Sequence, residues 1–266
     1  MASGLKCHLY GNITLDKCST CPVPCHPEPA LSAILEGSRT PVRGVYSVTE
    51  LPNSYKSVYL SRNNPFYVKP YNLLPAAIGT AWHEKVAKHK NPRYLVEQYF
   101  EVEINGLTLR GQPDLYDTKL RILWDFKNIG YYPTRLMIDG QWDEVTYRYQ
   151  MNAYHHFKFP EAKELWLDIA VRDWVKNIAA KYGIPRWLKI QVPFVPFEEI
   201  LAYVTERITR HAEIQESGNP PDCTPDEMWM NNKGRLPNYC LDYCGGADFC
   251  EQFQQWKKDN DWKEEV

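Results

Sequence analysis

The chain has 266 residues, 44% of them hydrophobic and 24% charged, and its 31 Lys plus Arg against 33 Asp plus Glu leave a net charge of −2. That length suits one substantial core with small appendages rather than two full domains. A balance so close to neutral argues against a protein that coats duplex nucleic acid through a global basic field, though phosphate contacts concentrated in one groove remain compatible with it. No run approaches the roughly 18–20 apolar residues of a membrane span, and the first residues lack a signal-peptide core, so a cytoplasmic protein is expected.

In chain order, the first feature is Cys7, Cys18, Cys21 and Cys25. Without a secretion signal the compartment is reducing, and clustered cysteines then favour a metal over disulfides. Pro22, Pro24 and Pro27 make the region loop-like, and a loop with so little apolar content needs a staple to be ordered. Zinc bound by the four thiolates is the expected staple, with His8 and His26 each able to replace a cysteine, and its closed coordination implies a structural or partner-docking role. Free cysteines in a disordered leader are the alternative.

Leu74 to Lys90 carries Ile78, Trp82 and Val86 four residues apart, with Pro75 near its start and Pro92 beyond its end, which predicts a helix buried along that stripe. His83 lies about 100° around from the stripe, at the border of the buried face. A lone histidine there is more often a satisfied boundary residue than a ligand. Two apolar-alternating runs then flank the polar turn Asp117-Thr118-Lys119, predicting a β-hairpin that sets Asp114 opposite Trp124 and Asp125. Asp125 and Lys127, two apart, share one face of their strand. Pro113 beside Asp114 implies a bulge or a break in the ladder. Two carboxylates and an ammonium so converge, and oxygen ligands of this kind suit a hard divalent cation.

A helix is predicted from about Trp142 to Phe157, with Gln150 and Tyr154 on one face and His155 and His156 on its surface. Leu165–Val171 and Trp187–Val195 read as strands, and Pro196–Glu216 as a long helix with Ile200, Tyr203, Val204 and Ile208 on one side. The second cysteine group, Cys223, Cys240, Cys244 and Cys250, follows. Four thiolates suit tetrahedral zinc or a cubane iron–sulfur cluster. The charged stretch from Gln252 onward reads as a surface helix or frayed tail.

Three of these motifs resemble one family. Gly111-Gln112-Pro113-Asp114 with Asp125-Phe126-Lys127 resembles the PD-(D/E)XK nuclease signature, in the form PD–x10–DFK. Gly79 to His83 resembles the G-x-x-x-H helix of the RecB-like branch, and Gln150 to Tyr154 the Q-x-x-x-Y element that contacts DNA beside its active site. The tail from Cys240 to Cys250 resembles the C-x-x-C-x5-C end of iron–sulfur nucleases such as the CRISPR-associated adaptation exonuclease and the AddB nuclease domain, with one extra residue between the first two cysteines. Tyr46 to Leu51 resembles the opening segment of the same exonucleases, and residues 28–73 are expected to cover one wall of the cleft.

The resemblance implies an α/β restriction-endonuclease-like core, a mixed central sheet flanked by helices, with cysteine-rich metal-binding lobes at both termini. The expected divisions are 1–45 for a zinc-binding segment, 46–217 for the nuclease core and 218–266 for an iron–sulfur lobe. It implies Mg²⁺ or Mn²⁺ held by Asp114, Asp125, the Phe126 carbonyl and His83, with Lys127 stabilising charge on the phosphate and Gln150 and Tyr154 positioning the strand. Cys223, Cys240, Cys244 and Cys250 would hold a [4Fe–4S] cluster in the manner of phage-encoded relatives, with Cys25 or Cys21 as the alternative fourth ligand and zinc as the alternative metal. The function implied is an end-dependent exonuclease on single-stranded DNA, with recombination or adaptation proteins as partners, in a prokaryotic or phage-infected cell. A metal-stapled DNA-binding or assembly subunit that no longer cuts is the alternative, against which the intact Asp-Asp-Lys set argues.

Overall fold

The computed structural model describes residues 2–7, 9–35, 40–141, 144–230 and 236–262. Its elements run β1 (Ala2–Cys7), β2 (Gly11–Ile13), α1 (Leu15–Ser19), α2 (Glu28–Leu35), β3 (Val45–Ser47), α3 (Tyr55–Asn63), β4 (Phe66–Val68) and α4 (Pro70–Ala87). There follow β5 (Tyr94–Val96), β6 (Phe100–Ile104), β7 (Leu107–Gly111), β8 (Leu115–Asp117), β9 (Ile122–Ile129), α5 (Tyr131–Ile138), α6 (Tyr149–Lys158) and β10 (Glu164–Val171). The chain closes with α7 (Lys176–Tyr182), β11 (Trp187–Val192), α8 (Phe197–Ser217), α9 (Asn238–Asp242) and α10 (Glu251–Asp259). The architecture is mixed α/β, with mixed sheets flanked by helices.

The chain forms two compact units, 1–43 with 53–74 and 209–266, and 44–52 with 75–208. These boundaries differ from those expected from sequence. Residues 53–74 belong with the cysteine-rich ends, because Leu60 of α3 packs into the cluster of Cys240, Ala247, Cys250 and Phe253 and β4 pairs with β1. Both cysteine groups lie in this one unit.

In the second unit a five-stranded sheet has the order β11-β10-β9-β8-β5. β9 and β10 are parallel and the other neighbours antiparallel. The parallel pair requires a crossover, which α5 and α6 supply. Leu123, Leu165, Leu167 and Ile169 are fully buried on one face of this sheet, and Ile200, Val204 and Ile208 of α8 are equally buried. Asp117 ends β8 buried: Arg93 pairs with its carboxylate, which also accepts the turn amides of Lys119 and Leu120 at 3.0 Å each. A three-stranded sheet, β3-β7-β6, completes the unit. Among the described residues no helix is long and apolar enough to cross a membrane.

Two expectations about helices are corrected. The stripe of α4 is not buried: Ile78 is 54% and Trp82 44% exposed, and no residue of that helix is buried. Spacing marks an apolar face but not what covers it. His155 is not a surface residue; it is buried, with Nδ1 2.9 Å from the Phe159 carbonyl. Trp142 and His8 lie outside the described residues.

Candidate active site

The site stands where β8 and β9 begin to pair. Leu115 is opposite Trp124, so Asp114, one residue before the strand, faces Asp125, and the Phe126 N–H donates to Asp114 Oδ2 at 2.6 Å. Asp125 and Lys127 share the core face of β9, their neighbours on β10 being Leu167 and Ile169. Apolar residues on that face strip water from the carboxylate, and Lys127 Nζ lies 2.5 Å from Asp125 Oδ2. Burial works against the Lys127 charge, yet Asp125 and Asp114 outweigh it and hold the ammonium's pKa above its ordinary range. Burial, and then the charge of Asp125, push the Asp114 carboxyl up to about 8.

Gln150 ties these groups to α6. Its Nε2 donates to Asp125 Oδ1 at 3.4 Å and to the Tyr154 hydroxyl at 3.1 Å, and its Oε1 accepts from Lys127 Nζ at 3.4 Å. Gln150 is 6% and Tyr154 3% exposed, so Tyr154 acts by holding Gln150. A π-helical turn, Glu144–Arg148, precedes α6 and sets the Tyr147 ring 5.7 Å from Lys127 Nζ. Asn152 anchors α6 in turn: its Nδ2 donates to the Arg148 and Pro193 carbonyls at 2.8 and 3.0 Å, and its Oδ1 accepts from Val195 N at 2.8 Å.

His83 reaches the site from α4, with Nδ1 3.3 Å from Asp114 Oδ1 and 3.4 Å from Glu97 Oε1. The hydrogen bond to Glu97 raises the His83 pKa, and Asp114 adds to it against the opposing effect of burial. Glu97 is a site residue that sequence reasoning missed. It follows β5 in the left-handed region, φ 52°, a conformation that costs a non-glycine residue roughly 1 kcal/mol or more. Its N–H donates to the Asp114 carbonyl at 2.9 Å. The signal that would have found it is the β5–β8 register, with Val96 opposite Leu115; an acidic residue after three apolar ones carries no such information.

The six residues His83, Asp114, Asp125, Lys127, Gln150 and Tyr154 therefore form one connected group, joined by Glu97. One imidazole nitrogen and two carboxylate oxygens, from His83, Glu97 and Asp114, lie within 4.8 Å of one another. A divalent cation fits there on chemical grounds: one imidazole nitrogen and two carboxylates, that of Asp114 buried, form a donor set suited to a hard ion.

The cysteines form two further groups. Cys240 and Cys250 are buried, with Cys223 and Cys244 packed against the same cluster. Burial, and then the neighbouring thiols, push Cys240 and Cys244 each up to about 12. Gln252 clamps the Cys223 backbone, accepting from its N–H at 2.9 Å and donating to its carbonyl at 2.8 Å. In the N-terminal group, burial raises the Cys18 thiol, followed by Cys25, Cys7 and Cys21. This segment is more than a loop: Leu5, Ile13 and Leu31 form a small buried core against which Cys7 and Cys18 pack. None of the eight cysteines is in a disulfide.

No known family model matches this chain, and no curated protein does. Several solved structures are similar to it. One is the crystal structure of SSO0001, 16% identical, covering 84% of this chain and 94% of that one with a TM-score of 0.49. Another is a phage-related exonuclease from Haemophilus somnus 129PT, 11% identical, covering 61% of this chain and 80% of that one with a TM-score of 0.39.

Proposed function

We propose that this protein is a divalent-metal-dependent deoxyribonuclease, acting from the ends of single-stranded DNA. The observation that carries the reading is the contact set itself. Asp114, Asp125 and Lys127 meet within one hydrogen-bonded group, and Gln150 touches both the carboxylate and the ammonium.

Asp114, with His83 and Glu97, would hold Mg²⁺ or Mn²⁺, with Asp125 and the Phe126 carbonyl as the further ligands the motif implies. The ion supplies Lewis-acid polarisation of the phosphate and lowers the pKa of water. Lys127 is held protonated by its two carboxylates, so it offers a fixed positive charge to the non-bridging oxygens as charge builds on them. Gln150 and Tyr147 keep that ammonium from swinging away, and burial of Asp125 keeps competing water out.

Two structural cofactors belong to the same reading: a [4Fe–4S] cluster on Cys223, Cys240, Cys244 and Cys250, and zinc on Cys7, Cys18, Cys21 and Cys25. Cys240 and Cys250 are buried with Cys223 and Cys244 packed against the same cluster, and clustered thiols of this kind are sites a cation would stabilise. DNA is the proposed partner, with recombination or adaptation proteins beside it.

The test is degradation of linear and circular single-stranded DNA of one sequence with Mn²⁺, by wild type and Asp125→Ala. Wild type should degrade the linear form and spare the circle, and the variant should lose activity by about 100-fold or more. Equal loss of both DNA forms would show endonucleolytic cutting. Wild-type rates in Asp125→Ala would remove the active-site assignment, and with no cleavage by either protein the non-cutting binding subunit becomes the reading.

A further inference from the structure

A cavity of about 340 Å³ opens directly beside the catalytic group and shares His83 and Lys127 with it. Its other walls are mostly apolar or aromatic: Ile78 and Trp82 from α4, Phe126 from β9 and Trp187 from the first position of β11. Trp82 is 44% and Trp187 63% exposed. The two indoles stand edge to face, 6.3 Å between centroids at 89°, and His83 meets Phe126 in the same way at 5.9 Å. Trp187 is held despite its exposure. Asp168 Oδ1 accepts from its Nε1 at 2.7 Å, so the ring keeps one orientation without a ligand to fix it. Arg186, adjacent in sequence, also lines the cavity.

We propose that this cavity is a nucleobase subsite, in which an unpaired base next to the cleaved phosphate stacks on Trp187 and Trp82. The proposal rests on the nuclease reading for its occupant. Charge and chemistry suit a DNA strand: Arg186 offers a cation to phosphates, while the aromatic walls offer π faces that any base can use. Paired bases in a duplex present no free face, so the slot selects single strands whatever their sequence. Asp168 is then a positioning residue, acting through the indole.

The test is equilibrium binding of a fluorescein-labelled ten-nucleotide single strand and of its fully abasic counterpart, with Ca²⁺ in place of the catalytic ion. Wild type should bind the base-bearing strand about tenfold tighter than the abasic one. Trp187→Ala and Trp82→Ala, both surface changes, should bring that ratio towards one while leaving abasic-strand affinity unchanged, and Trp187→Phe should restore most of it. Asp168→Asn, which can still accept from Nε1, should keep the ratio where Asp168→Ala reduces it. A ratio that stays near tenfold in both tryptophan variants, or an equal weakening of both strands, would overturn the subsite. Base-dependent binding without any Mn²⁺-dependent cleavage would uphold the subsite and overturn hydrolysis; absence of binding to either strand would overturn both.

Discussion

Glu97 shows how a strained backbone and a charge can serve one purpose. Its left-handed conformation turns the side chain towards His83, and the tertiary contacts with Asp114 and Gln112 hold it there. Replacing it by Gln keeps the shape and removes the charge. Glu97→Gln should weaken Mn²⁺ affinity by about tenfold or more, read from the metal dependence of cleavage; an unchanged metal titration would exclude it as a ligand. Gly111 answers to a different constraint. A Cβ there would stand 2.5 Å from Phe100 Cε1 and 2.9 Å from Tyr154 Cε1, both parts of buried rings. Gly111→Ala should therefore cost about 1–3 kcal/mol in urea unfolding and disturb Gln150 through Tyr154. An unshifted unfolding midpoint would show that the rings can move aside.

At the scale of elements, α6 is the part that unites core and chemistry. One side of it presents Gln150 and Tyr154, while Asn152 and His156 bind the segment after β11, the latter through Nε2 2.8 Å from the Val195 carbonyl. His155 near its end carries the helix's pH dependence. Burial holds its pKa below the ordinary histidine value, and His156 beside it acts the same way. The unfolded chain therefore takes up a proton that the folded chain resists. Stability is highest above the unfolded pKa and falls as pH drops through the window towards the depressed folded pKa. The contribution of His155 to the thermal midpoint should decline between about pH 7.5 and 5.5, against the opposite trend of the raised Asp114 and His83, and is read as the difference in slope between wild type and His155→Gln. An identical slope in the variant would assign the pH dependence elsewhere.

For the molecule as a whole, the arrangement of unit boundaries matters more than chain order. The two ends and α3 form one unit: Lys6 of β1 pairs with Asp248 at 2.7 Å, and Cys223 Sγ lies 3.3 Å from Ser54 Oγ just before α3. A metal group held by the C-terminal thiols would tie residues 223–250 together around the cluster into which Leu60 of α3 packs. Anaerobically purified protein should then be brown, with broad absorbance near roughly 400 nm that dithionite bleaches. Cys240→Ser should remove the colour and lower the unfolding temperature, because the cross-link that holds residues 223–250 together is lost. A colourless protein carrying two zinc ions per chain would make both cysteine groups zinc sites.

The residues of the site were legible in the sequence because their spacing is local. A turn after Asp117 and a period of two along β9 suffice to bring Asp114, Asp125 and Lys127 to one place, and a helical period of four pairs Gln150 with Tyr154. α4, the β8–β9 hairpin, α6, β10, β11 and α8 were legible for the same reason, since alternation and helical stripes survive without knowledge of partners. Burial was not: the stripe of Ile78 and Trp82 reads as core, yet it borders a cavity, and His155 reads as surface, yet it is enclosed. Glu97 entered the site through the pairing of β5 with β8, and residues 53–74 joined the cysteine-rich unit through Leu60 and β4. Each of these depends on contacts between residues distant in the chain. A periodic pattern records which face of an element is apolar, whereas what lies against that face is decided only when the other elements pack.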